Sequence, residues 1–169
     1  FPDARPFFSR RVGLVNGSIR KVTTEGDTVS VTRNLNVPIK AGMRLSGKLD
    51  KNWRIGLLNM QTGQVSALNQ GPANYTTAVV QRKMFERSAV SAIFVNKENF
   101  SVDDQEKIRH NAGAYNRVAG LEYNLFSKDN KWEGEFYYHR SFSGKQKNDD
   151  AQSAAAFLGY FTQKWNVFS

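Results

Sequence analysis

Lys40-Ala41-Gly42-Met43-Arg44-Leu45-Ser46-Gly47-Lys48-Leu49 alternates residue by residue. Ala41, Met43, Leu45 and Leu49 point one way; Lys40, Arg44, Ser46 and Lys48 point the other. A period of two over ten residues is a β-strand with one apolar and one wet face. The pattern returns in 117–126, where Ala119, Leu121, Tyr123 and Leu125 oppose Gly120, Glu122 and Asn124. It returns again in 132–142, with Trp132, Phe136, Tyr138 and Phe142 opposite Glu133, Glu135 and His139. Four more runs, 53–62, 76–86, 88–97 and 152–162, are strand-like in composition but less cleanly two-faced. In 88–97, Val90 and Phe94 lie on one face and Ile93 and Val95 on the other. Each run is about ten residues, close to the roughly 9–11 that a tilted strand needs to cross a bilayer.

The connections alternate in length: 50–52, about 87, 127–131 and 163–164 are short, whereas 63–75, 98–116 and 143–151 are long. Outer-membrane barrels are joined in this way, by tight periplasmic turns and longer outer loops. Each tryptophan follows a short turn, in Asp50-Lys51-Asn52-Trp53, Asp129-Asn130-Lys131-Trp132 and Thr162-Gln163-Lys164-Trp165. An indole has an apolar body and an N–H that wants a polar partner, which suits it to the water–lipid boundary. Trp53, Trp132 and Trp165 are therefore expected to be membrane-interface aromatics at one level. A lone Trp would instead read as half of a cross-strand pair on a soluble hairpin.

The expected fold is all-β: an antiparallel, up-and-down transmembrane β-barrel segment of about seven to eight meandering strands. Residues 40–169 supply those strands, and 1–39 form an N-terminal extracellular or lumenal segment. Within that segment, Ser18–Thr24 and Thr28–Arg33 flank Glu25-Gly26-Asp27 as a small hairpin. Ser101-Val102-Asp103-Asp104-Gln105-Glu106 predicts the capped start of a short helix ending near Gly113. The run after Trp165 is too short to span, and bacterial single-chain barrels close with an even strand count. The chain accordingly reads as a segment of a larger barrel.

Bulk properties agree with this reading. The chain has 169 residues, long enough for one domain with a sizeable core, and no cysteine, hence no disulfide framework or thiolate metal site. Mean hydropathy is -0.56, and no stretch approaches the roughly 20 apolar residues of a membrane helix. Phe1-Pro2-Asp3 offers neither an initiator Met nor a signal peptide, so the chain reads as processed or as a piece of something longer. The formal charge of +9 is uneven: residues 1–60 hold 11 Lys/Arg against 4 Asp/Glu. Such a basic front half suits nucleic acid, anionic polysaccharide or lipid phosphate alike.

Candidate chemistry is sparse. His110 and His139 lack metal-type spacing and read as plain polar residues, the first on a loop, the second on the wet face of its strand. Glu133 and Glu135 share a face, with Glu122 on the wet face of the preceding strand; paired carboxylates can divide acid and base work. In a barrel they serve more simply as a hydrated wall offsetting Arg44, Lys48 and Arg54. Asp103, Asp104 and Glu106 match no calcium-loop spacing. No phosphate-binding loop, dinucleotide fingerprint, nucleophile elbow or zinc-protease motif occurs. Arg5, Arg10 and Arg11 with Phe7 and Phe8, extended by Gln81-Arg82-Lys83, would suit single-stranded nucleic acid. The strand context favours a lumen lining or lipid-phosphate contact instead, and no nucleic-acid partner is expected. The lumen-facing polar set is Lys40, Arg44, Lys48, Glu122, Glu133 and Glu135; no catalytic residue, metal or cofactor is assigned.

Arg5-Pro6-Phe7-Phe8-Ser9-Arg10-Arg11-Val12-Gly13-Leu14 is followed by Val37-Pro38-Ile39, Gly42 to Gly47, Trp53 to Thr62 and Pro72-Ala73-Asn74-Tyr75-Thr76, then Phe94-Val95-Asn96-Lys97 and Val118 to Asn124. In order and spacing this string resembles the uncharacterised β-barrel domain that follows a family-nine carbohydrate-binding-like module in outer-membrane proteins of Bacteroidota. The resemblance runs through most of 5–126, with 18–33 as an insertion. It implies an outer-membrane location, a barrel of several hundred residues and an upstream sugar-binding module, and it transfers no catalytic residue. The expected function is solute or glycan passage or surface capture, with outer-membrane lipid, a glycan, and other chains or the rest of the barrel as partners. The alternatives are a soluble β-sandwich or barrel that binds an anionic ligand, and a membrane-associated hydrolase.

Overall fold

The computed structural model describes residues 12, 14–22, 28–65, 71–102, 108–144 and 151–168. Strands β1 (Leu14–Val22) and β2 (Thr28–Asn36) pair antiparallel as a two-stranded sheet. This is the expected small hairpin, with longer arms. The remaining strands are β3 (Ile39–Lys48), β4 (Trp53–Thr62), β5 (Ala73–Met84), β6 (Ser88–Val102), β7 (Ile108–Phe126), β8 (Trp132–Ser143), β9 (Gln152–Phe161) and β10 (Asn166–Phe168). They form one 8-stranded antiparallel sheet in strict chain order, with β3 and β10 as its edges. The all-β, meandering expectation holds, and seven full strands are followed by a three-residue eighth.

One segment departs from expectation. The long connection at 98–116 is mostly strand: β6 continues to Val102 and β7 starts at Ile108. There is no helix there among the described residues, and His110 lies within β7, paired with Phe100, rather than on a loop. The run His110-Asn111-Ala112-Gly113-Ala114-Tyr115-Asn116 carries Asn and Gly, weak helix formers. The register shift between Glu98 and Phe100 absorbs the extra residues of β7 as a bulge. Asp103, Asp104 and Glu106 lie outside the described residues, as do Arg5, Phe7, Phe8, Arg10 and Arg11.

Directly paired residues share a face, so the register sorts every side chain. One face carries Met43 and Leu45 (β3), Leu57 (β4), Val80 (β5), Phe94 (β6), Leu121 (β7), Tyr138 (β8) and Leu158 (β9). All eight are exposed, from 39% at Leu158 to 68% at Met43. The other face is mixed and better covered: Thr77, Ser91, Val95 and His139 are buried there. Among the described residues only Val12, Val37, Ala73 and Val95 are buried hydrophobics. The sequence is long enough for a core, yet these eight large apolar side chains stand exposed on one face of a sheet.

Candidate functional site

Three hairpin ends share one local design. The N–H of Leu49 donates to the Trp53 carbonyl (3.0 Å), that of Ser127 to Trp132 (3.0 Å) and that of Thr162 to Trp165 (2.8 Å). Each Trp backbone N–H donates to a turn side chain: Asp50 Oδ1 at 2.7 Å, Ser127 Oγ at 2.9 Å and Thr162 Oγ1 at 2.9 Å. Short oxygen-bearing side chains close turns by mimicking a backbone carbonyl in this way. Each indole is thereby held on the last rung of its hairpin.

The relative placement of the three indoles follows from pairing. Trp53 is opposite Arg82, Arg82 opposite Val90, Val90 opposite Tyr123, and Tyr123 opposite Phe136. Four strands across, the row meets β8 four residues short of Trp132. Trp132 is opposite Tyr160, and Tyr160 opposite Val167, two residues short of Trp165 two strands away. The offset is one residue per strand in both intervals and in the same direction. With about 3.3 Å per residue and about 4.8 Å between strands, the line of indoles is inclined by about 35° to the hydrogen-bond direction. Closed barrels tilt their strands by about 35–45°.

Aromatic and cationic groups bound the apolar face at both ends. At the turn end Arg82 lies over the Trp53 ring (5.3 Å), Trp132 packs on Tyr160 (4.9 Å) and Trp165 is 73% exposed. At the loop end Arg117 covers Tyr115 (4.4 Å) and Arg140 covers Phe142 (5.4 Å). Beside them Asn59 donates to Thr76 Oγ1 at 2.8 Å, and Thr76 donates to Asn74 Oδ1 at 2.9 Å. From rim to first polar residue (Trp53 to Asn59, Trp132 to Arg140, Tyr160 to Gln152) the apolar stretch spans about six to eight residues. On an axis tilted by about 35° that is about 16–22 Å.

The mixed face carries Arg44, Lys48, Glu122, Glu133 and Glu135, as the alternation predicts, but not as an interleaved wall. Lys48 and Arg54 pair laterally on β3 and β4, whereas the carboxylates sit on β7 and β8. Arg54 and Glu122 share a row three strands apart, about 14 Å along the sheet. That distance replaces the expected offsetting with a basic side and an acidic side. Lys40 stands apart: it is the extra residue of the bulge between Ile39 and Ala41, and its stem fills the space a Cβ on Gly63 would need.

Glu122 finds its partner in His139, Oε1 to Nε2 at 3.1 Å. The His139 ring is buried, stacked on Tyr137 (5.0 Å), and lies where a Cβ on Gly120 would be. Gly120 is therefore a cradle for the imidazole. The sequence signal for this pair was available: Glu122 and His139 stand on the wet faces of two strands joined by one short turn. The 127–131 hairpin sets Gly120 opposite His139 and Glu122 opposite Tyr137, so the pair is diagonal.

In that same turn, hydrogen bonds from Ser127 first, then from Lys131, hold the Asp129 carboxyl down at about 2. The same carboxylate raises the Lys131 ammonium. Comparison with protein-family models, curated proteins and solved structures returned no match. The functional reading therefore rests on geometry.

Proposed function

We propose that this chain is part of an integral β-barrel of a bacterial outer membrane, serving passage or surface capture of a solute, with a glycan as the candidate, and performing no catalysis itself. The observation that carries the reading is the constant one-residue offset of Trp53, Trp132 and Trp165. On strands tilted as in a barrel, that offset would put them on one level. The exposed apolar face supports it energetically. Burying the exposed halves of eight large apolar side chains is worth roughly 6–12 kcal/mol, comparable with the net stability of a whole domain. Hydrocarbon would cover that face. The edges β3 and β9–β10 would pair with the rest of the barrel or with other outer-membrane chains, because no open edge survives in lipid.

The mixed face would then line a lumen, with Arg44, Lys48 and Arg54 on one side and Glu122, Glu133 and Glu135 on another. Opposed charges of that kind orient a polar solute and set selectivity. The test is the full-length protein in detergent: gel mobility that changes on heating, slow protease access, and sugar flux in vesicles are expected. A full-length chain that is soluble and monomeric without detergent removes the proposal.

The segregated cations Arg44, Lys48 and Arg54 favour a second reading, a soluble β protein that binds an anionic ligand. Under it Leu45, Leu121 and Phe136 are covered by further protein. Charge substitutions there would abolish folding in water.

A further inference from the structure

At the turn end the carboxylates of the turns are occupied. Asp50 is occupied by the N–H groups of Asn52 and Trp53, Glu86 pairs with Lys128 at 2.9 Å, and Asp129 pairs with Lys131 at 3.1 Å. Among the described residues, Lys51, Arg82, Lys83, Arg87 and Lys164 carry no ion pair at that end, and all five are exposed. Arg82 is already stacked over Trp53 on the apolar face, whereas Arg87 lies over Phe126 (6.0 Å), which pairs with Glu133 on the mixed face. Stacking holds a guanidinium plane in place while leaving its N–H fork open to an oxyanion. Phe85 stands at the tip of the intervening turn, 82% exposed and at a φ of 54°, a conformation that a bulky residue rarely adopts. Exposed aromatics beside a stacked cation suit a surface whose anionic groups lie directly above hydrocarbon.

We infer that the turn-end rim binds the phosphates of anionic phospholipid headgroups through Arg82, with Lys51 and Lys164 extending the site along the indole line. This deepens the membrane reading and rests on it. Basic residues near an anionic leaflet each favour binding severalfold, an effect that salt screens. Free phosphate lacks the apolar part that Phe85 and the indoles would meet.

The three indoles lie at this rim and not at the other, so they report on it locally. The full-length protein is reconstituted in phosphatidylcholine vesicles containing a minor share of phosphatidylglycerol, with bromine on the chains of one lipid or the other. Emission is assigned by subtracting the signal of the Trp53→Phe/Trp132→Phe/Trp165→Phe variant. Quenching per brominated phosphatidylglycerol is expected to exceed that per phosphatidylcholine by about twofold or more at low salt. The excess should vanish in Lys51→Gln/Arg82→Gln/Lys164→Gln and persist in Arg117→Gln/Arg140→Gln, which alters only the loop end. Equal quenching by the two lipids overturns this inference and leaves the membrane reading standing. Quenching by neither lipid overturns both. A loss of excess in the loop-end variant as large as in the turn-end variant also overturns the assignment.

Discussion

The two ends of the 8-stranded sheet are both rimmed by aromatic–cation pairs, yet they are built differently. At the turn end, tight hairpins repeat one design, in which Asp50, Ser127 or Thr162 holds a Trp on the last rung. At the loop end, strand lengths vary: β6 and β7 run far past β8 and β9, and the aromatics Tyr115 and Phe142 are covered by Arg117 and Arg140. The repeated turn puts each Trp on the last rung of its own hairpin, and the pairings of the intervening strands then offset the three by one residue per strand. The irregular end lacks that constraint, and its polar residues form a local network of Asn59, Thr76 and Asn74 instead.

The sharpest way to break this comparison is to move a charge between the apolar middle and the loop end. Leu121→Lys is expected to cost about 2–4 kcal/mol in the membrane-assembled protein, whereas Gln61→Lys, on the same face near the loops, should cost about 0–1. Urea unfolding in vesicles reads both. Equal costs would mean that the apolar face meets no hydrocarbon. Gly120→Ala comes next, because its methyl would occupy the His139 ring position. Overpacking of that kind costs about 1–3 kcal/mol, and Glu122 should lose its partner, readable as a changed imidazole resonance.

The turn design predicts smaller effects. Ser127→Ala removes the oxygen that receives the N–H groups of Lys131 and Trp132. It should cost about 1 kcal/mol and leave Trp53 emission unchanged, which localises the loss. The smallest effect is a pH dependence in that same turn. The Asp129 carboxyl titrates at about 2 in the folded chain against an ordinary 3.8. A depressed carboxylate stabilises fully above its unfolded pKa and loses that contribution as pH falls through its folded value. The difference in unfolding midpoint between the chain and Asp129→Asn should be present at pH 5 and shrink between pH 4 and 2.

Much of this was legible residue by residue. The run at 53–62 matches β4, and 40–49 matches β3 to within a residue at each end. Alternation with one wet face is a local property, and it separated Arg44, Lys48, Glu122, Glu133 and Glu135 from the apolar set. The segment 98–116 misled because a Ser-x-x-Asp/Glu start signals a helix only when no partner strand is at hand. Here the register with β7 supplied one. The bulge at Lys40 and the meeting of Glu122 with His139 depend on which residues lie opposite, which no single strand contains.

What the chain determined alone was the two-faced character of its strands and the tightness of its Trp-bearing turns. Periodicity and turn chemistry act over a few neighbouring residues, so they can be read in order. The sheet decided the rest: the one-residue offset that aligns Trp53, Trp132 and Trp165, the split of basic and acidic sides, and the imidazole resting on Gly120. Each of these is a sum of pairings across successive strands, and pairing is settled only when the strands come together.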